Sequence, residues 1–237
     1  MAAATRSRRE RLRAETTEEI TTTALALLAE GGPDAITLRA IAREMGMTAG
    51  AIYGYFPTRD DLITRLITDV YTSLVDTVET ARDACPSDDA GGRIIAWGRA
   101  LREWSVANPA GFRLVYGDAV PGYRPREAGV ALEPARRACA GLTQLVAAAW
   151  VRAAPHQPAA DWADFTPELV SEVRRDFPDL PPAAVALALR MWGRMHGLVA
   201  LEVYGHLRGQ TTDPAKLYEA ELRDLVRSLG WGLDDQR

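Results

Sequence analysis

TLRAIAREMGMTAGAIYGYFPTRDDL, residues 37–62, is the stretch that decides the fold. Thr37 reads as a helix N-cap, because a threonine hydroxyl can accept from a free backbone N–H of the first turn. Leu38, Ile41, Ala42 and Met45 then follow at the spacing of one apolar helix face. Gly46 can take the left-handed conformation that turns the chain. Thr48 caps a second short helix through Tyr55, with Ile52 and Phe56 facing inward. Pro57-Thr58-Arg59-Asp60-Asp61 breaks the chain and restarts it. The result is a helix-turn-helix, a weak signal when it is only two short helices and a glycine.

Working outward, the pattern stays helical and no alternating Val/Ile/Thr/Tyr segment reads as a strand. Residues 8–30 form an amphipathic helix with Leu12, Thr16, Ile20, Ala24, Leu27 and Leu28 on one face, stopped by Gly31-Gly32-Pro33. A long helix over about 60–84 buries Leu62, Leu66, Val70, Leu74 and Val78, and at 1.5 Å per residue it spans ~37 Å, enough to link two domains. Further helices are expected at 91–107, 109–116 and 133–154, then a loop over 155–182 with one short helix near Pro167–Asp176, then helices at 183–208 and 214–229. The fold class is all-α: a three-helix helix-turn-helix domain over 8–66, followed by a second helical domain over 67–237.

Composition narrows the function. The chain has 237 residues, 47% hydrophobic and 25% charged, as in ordinary globular proteins. No run approaches the ~18 apolar residues of a membrane span, and MAAATRSRRERLRAE at the start lacks the apolar stretch of a secretory signal. Cys85 and Cys139 read as thiols in a reducing cytoplasm, and the scattered His156, His196 and His206 suggest no metal site. No GxSxG, P-loop or dinucleotide fingerprint is present, so neither an enzyme nor a cofactor is expected. The net charge is −4, yet residues 1–60 balance eight arginines against eight acidic residues, so 61–237 carries the whole excess. Arg6, Arg8, Arg9, Arg11 and Arg13 stand against Glu10 alone, a basic arm suited to phosphate or to a minor groove.

The full string is far more specific than a generic helical hairpin. Thr37, Ile41-Ala42, Gly46, Thr48, Gly50, Ile52-Tyr53, Tyr55-Phe56 and Thr58-Arg59-Asp60-Asp61-Leu62 together resemble the signature of the tetracycline-repressor (TetR) family of bacterial regulators. The resemblance implies a homodimer that binds a palindromic double-stranded DNA operator, usually as a repressor, and is released by a small molecule. The second helix of such a motif enters the major groove N-terminus first. Thr48 would then cap it and touch phosphate or base, Ala49 would meet thymine methyls, and Gly50 would let backbone approach closely. Tyr53 and Tyr55 would offer hydroxyls, Thr37 and Arg59 would hold phosphate, and Arg39 would reach from the first helix. Residues 48–55 contain no Arg, Lys, Asn or Gln, the usual bidentate readers of bases, so direct readout should be thin. That keeps alive an alternative, a helical small-molecule carrier that binds no DNA.

A second string, MWGRMHGLVALE over 191–202, carries Trp192, His196 and Gly197 and resembles the Trp-x-x-x-His-Gly signature of one C-terminal subclass of that family. The helix around it is apolar on two sides, so one side should face its own domain and the other a partner copy. Met195, Leu198 and Val199, with Leu222 and Leu225 of the last helix, are the expected dimer contacts. Trp97, Trp104, Phe112, Tyr116, Trp150, Trp192 and His196 are the expected lining of an effector cavity, whose indoles suit an apolar or aromatic molecule.

Overall fold

A computed structural model describes residues 7–117, 120–124 and 132–231, and all regular structure among them is helical. α1 (Arg8–Gly31) starts in a capping box: Ser7 Oγ accepts from the Glu10 N–H while Glu10 accepts from the Ser7 N–H. It stops where Gly32 adopts φ 71°. Its buried face is Ile20, Thr21, Ala24 and Leu28, whereas Leu12, expected on that face, is exposed. α2 (Leu38–Glu44) and α3 (Ala49–Tyr53) follow, joined through Gly46 at φ 64°. α4 (Arg59–Asp83) opens with Thr58 and Asp61 bonded reciprocally. The five inward positions read from its sequence are buried, joined by Ile63 and Val75.

α5 (Ala90–Ala107), α6 (Pro109–Tyr116), α7 (Leu132–Ala153), α8 (Pro167–Asp176), α9 (Pro182–Val203) and α10 (Pro214–Ser228) complete the chain, with short 3₁₀ turns at Ala154–His156 and Trp162–Asp164. α9 ends five residues before the expected 208, because Gly205 at φ 81° turns the chain.

The chain divides into two compact units. One comprises the described part of Met1–Tyr71 with Asn108–Glu133, the other Thr72–Ala107 with the described part of Pro134–Arg237. The division crosses α4 rather than following the expected 66/67 boundary, and it assigns α6 to the first unit. The core of the first unit is Ile20, Ala24, Ile36, Ile41, Ile52, Leu62, Ile63 and Leu66. In the second unit, α5, α9 and α10 pack together, and Gly98 lets α10 approach α5: a Cβ there would lie 2.4 Å from Leu222 Cδ2.

Candidate nucleic-acid interface

Thr37 and Thr48 both sit in extended backbone before their helices, and each hydroxyl accepts a backbone N–H three residues on, Ala40 at 3.1 Å and Ala51 at 3.2 Å. The caps therefore do the work the sequence assigns them. Leu38, Ile41, Ala42, Ile52 and Phe56 go inward. Of the residues expected to meet DNA, Thr37, Arg39, Thr48, Ala49, Gly50 and Tyr53 are exposed, and Arg43, Glu44 and Ala51 of the same two helices are exposed as well. Tyr53 keeps 48% of its surface in solvent, and a Cβ on Gly50 would meet nothing within 4 Å. A contiguous outward set with no bulky side chain at the start of α3 is a surface against which another rigid body can lie closely.

Two residues expected in this set are engaged elsewhere. The Arg59 guanidinium donates to the carbonyls of Ile36 (2.7 Å), Pro33 (2.9 Å) and Pro121 (3.3 Å). A guanidinium offers five N–H donors in a fixed fork, and here that fork is directed at main chain. Tyr55 is half-buried, and the Arg13 guanidinium lies 4.9 Å from its ring centroid while donating to the Gly54 carbonyl at 2.8 Å. Arg13 sits 41 residues from Gly54, so no local pattern could have shown this pairing.

The basic arm belongs to the helix expected over 8–30, and that bears on its expected fit to a minor groove. From Arg8 onward it is α-helix, and a helix of ~10–12 Å diameter cannot enter a minor groove of ~6 Å. Arg8, Arg9 and Arg11 are exposed on its first turns, while Arg6 lies outside the described residues.

In the second unit, Trp97 is buried against α7, where a Cβ on Gly141 would stand 2.5 Å from the indole, and Arg82 lies over the ring at 5.8 Å. Trp104 is buried and donates Nε1–H to Ser73 Oγ at 3.1 Å. Trp150 is half-buried; Trp192 is 42% exposed and sits beside half-buried His196 with centroids 5.6 Å apart. Burial holds the His196 imidazole below its ordinary pKa of 6.5. Phe112 and Tyr116 belong to the other unit, where Tyr116 packs edge-on to Tyr71. The seven expected lining residues are thus not brought into one compact unit. An open cleft of about 320 Å³ in the second unit is lined instead by charged residues such as Arg99, Arg102, Lys216 and Glu219, beside Tyr218.

Four of the expected dimer contacts, Met195, Val199, Leu222 and Leu225, are buried within the chain's own second unit, because α9 and α10 pack on α5 through them. Leu198 is half-buried. The large apolar residues that α9 leaves exposed are Leu189, Trp192 and Leu201, with Tyr204 just past its end, around Gly193 and Gly197, where a Cβ would meet nothing within 4 Å.

Comparison with known proteins identifies this architecture. Residues 20–66 match the family of bacterial regulatory proteins of the tetR type, and residues 94–225 match the tetracyclin repressor-like C-terminal domain. The chain is 35% identical over 210 residues to the HTH-type transcriptional regulators Rv1816 of Mycobacterium tuberculosis and Mb1846 of Mycobacterium bovis, covering 85% of this chain and 87% of each relative. Among solved structures, SCO4313 superposes with a TM-score of 0.74 at 34% identity, covering 92% of this chain and 98% of the other. A tetR-family regulatory protein from Rhodococcus RHA1 shares the fold, with a TM-score of 0.65 at 18% identity over 91% of this chain and 97% of its own. The chain belongs to the TetR family. It is a transcriptional regulator with an N-terminal DNA-binding domain, and not an enzyme. No helix among the described residues is long and apolar enough to cross a membrane.

Proposed function

We propose that the protein is a repressor that reads a palindromic operator as a homodimer in the cytoplasm, with α3 of each copy in the major groove. The observation that carries this reading is the outward set Thr37, Arg39, Thr48, Ala49, Gly50 and Tyr53, left exposed while every large aliphatic residue of α2 and α3 is buried. Because α3 presents no Arg, Lys, Asn or Gln, the groove is read through close backbone approach, methyl contacts and DNA shape.

The homodimer is supported by the outward face of α9. Leu189, Trp192, Leu201 and Tyr204 are each at least 40% exposed, and an apolar patch of this kind around two open glycines suits a second copy of the same helix. We read Trp192, His196 and Gly197 on this face as the signature of the Trp-x-x-x-His-Gly subclass. Release by a small, apolar or aromatic effector in the second unit follows the habit of the family, with a coupling of ~1–3 kcal/mol between the two sites. The effector must favour the DNA-free geometry, since equal affinity for both states shifts nothing.

Selection of duplexes from a random-sequence pool, followed by footprinting of the recovered DNA, tests the reading. Two inverted half-sites are expected, about one helical turn or a multiple apart. Recovery of no duplex above background at 0.1 M salt would overturn it and favour a helical small-molecule carrier.

A further inference from the structure

We propose that Arg13 is the positioning residue of the DNA-reading helix: it aims α3 without touching a base. The proposal rests on the reading that α3 enters the groove.

α3 has only five residues, Ala49–Tyr53. A helix so short has no stability of its own, because nucleation costs more than its few hydrogen bonds return. Its orientation must therefore come from what holds its ends and its inner face. The inner face offers one fully buried residue, Ile52. The N-terminal end is held by the Thr48 cap, which is local and fixes no direction relative to the rest of the unit. The C-terminal end is where Arg13 acts. It comes from α1, donates to the Gly54 carbonyl at 2.8 Å, and lays its guanidinium 4.9 Å from the ring centroid of Tyr55.

Gly54 is the C-cap of α3, so its carbonyl belongs to the end where the helix dipole is negative and a cation is favoured. The planar guanidinium can satisfy a carbonyl and cover an aromatic face together, which an ammonium cannot. Ile52 and Arg13 thus fix α3 at two separate points, one apolar and one polar, and two points define a direction. Direction matters more here than in a helix rich in long polar side chains. Contacts made by Thr48, Ala49 and backbone at Gly50 cannot stretch to absorb a tilt, so a small misalignment removes several at once. Specific binding should then depend on Arg13, while non-specific attraction to phosphate should not.

The test uses the full-length protein, the duplex selected by the wild type, and a scrambled duplex of the same length and composition, over a salt series. Arg13→Ala should weaken binding to the selected duplex about tenfold, equivalent to ~1.4 kcal/mol, and shift the scrambled duplex less than about twofold. The salt slope should be unchanged, because no phosphate contact is lost. Arg13→Lys should fall between. Tyr55→Leu should reproduce the loss, and the Arg13→Ala/Tyr55→Leu double variant should be no worse than either single variant. If Arg13→Ala weakens both duplexes alike and the slope drops by about one per copy, Arg13 holds phosphate and the proposal fails. If it binds both duplexes as the wild type does, the proposal fails as well. Should Arg13→Ala unfold at the assay temperature, Arg13→Lys and Tyr55→Leu decide by the same comparison. A pool that yields no selected duplex refutes the groove reading and this proposal with it, whereas a selected duplex indifferent to Arg13 refutes this proposal alone.

Discussion

Gly141→Ala is the substitution that separates a packed indole from a cavity wall. Gly141 lies inside α7, where alanine in place of glycine ordinarily stabilises by about 1 kcal/mol. Here the new Cβ would stand 2.5 Å from Trp97 Cη2, 3.0 Å from Cζ3 and 3.5 Å from Cζ2. Carbon pairs prefer about 3.5–4.0 Å, so the overlap is about 1 Å against a rigid ring. Trp97 is buried, with the similarly buried Arg82 lying over it. Overpacking of this kind costs about 1–3 kcal/mol, which exceeds the helix gain. A net loss of about 1 kcal/mol is expected, or roughly 2–4 °C in melting temperature for a chain of this size.

Urea denaturation followed by helicity measures the difference, and a double-mutant cycle assigns it. Trp97→Phe removes the benzo ring that Gly141 faces, so Gly141→Ala in that background should stabilise by its helix propensity. If Gly141→Ala alone raises the midpoint, the indole has room to move, and the packing argument is refuted in favour of Trp97 bordering adjustable space. That outcome would strengthen the case for an effector cavity beside it.

Arg59→Lys should lower stability by about 1–3 kcal/mol, because one ammonium cannot replace a fork that satisfies three carbonyls. Arg59→Gln, which removes the charge as well, should leave the salt slope of DNA binding unmoved; an unchanged stability with a smaller slope in that variant would make Arg59 a phosphate ligand instead. Trp192→Glu should yield a folded monomer by light scattering, whereas Val199→Glu, at a fully buried site, should unfold the chain. A Trp192→Glu protein that stays dimeric would exclude this face of α9 as the interface. His196 has a pKa lowered by burial from 6.5, so the unfolded chain takes up its proton first. Stability should be level above about pH 7 and fall as pH drops from 6.5 through the lower folded value, with His196→Gln flattening that window. Asp83 and Glu219, whose pKa values are lowered by arginine partners, lose their contribution only at lower pH, below the ordinary carboxylate values. A midpoint flat from pH 8 to 5 would contradict the His196 shift.

Elements governed by local chemistry were legible in the sequence. The Thr37 and Thr48 caps, the Gly46 turn, the inward residues of α4 and the short helix at Pro167–Asp176 all follow from neighbours within four residues. Helix periodicity also marked α9 as apolar on two sides, but it could not say which side the chain would cover itself. α5 and α10 cover the side bearing Met195 and Val199, and that depends on the Gly98–Leu222 approach between residues 124 positions apart. Arg59 and Arg13 were illegible for the same reason. An arginine in a DNA-binding motif reads as a phosphate ligand until the carbonyls of Ile36 and Gly54 are seen within its reach. The aromatic residues are less legible for a different reason: a Trp that fills a core and a Trp that lines a cavity have the same spacing, and for Trp97 it is the close approach of Gly141 that bears on which it is.

Directing Arg59 and Arg13 at main chain leaves few cations for phosphate, and this has a measurable consequence. Around the outward set, α2 contributes exposed Arg39 and Arg43. If these alone touched phosphate, two copies would neutralise about four charges and the slope of log affinity against log salt would be about −3.6. Arg8, Arg9 and Arg11 are exposed on the first turns of α1, near the turn that Arg13 ties to α3. With them the count rises to about ten, and the slope to about −9. The steeper value is expected, because a helix that reads bases with small side chains needs its affinity from phosphate contacts elsewhere. Replacing Arg8, Arg9 and Arg11 together with Gln should return the slope towards −4 while leaving the preference among selected duplexes intact, since these contacts carry no sequence information. A wild-type slope already near −4, unmoved by the triple replacement, would show that the first turns of α1 stand clear of the duplex.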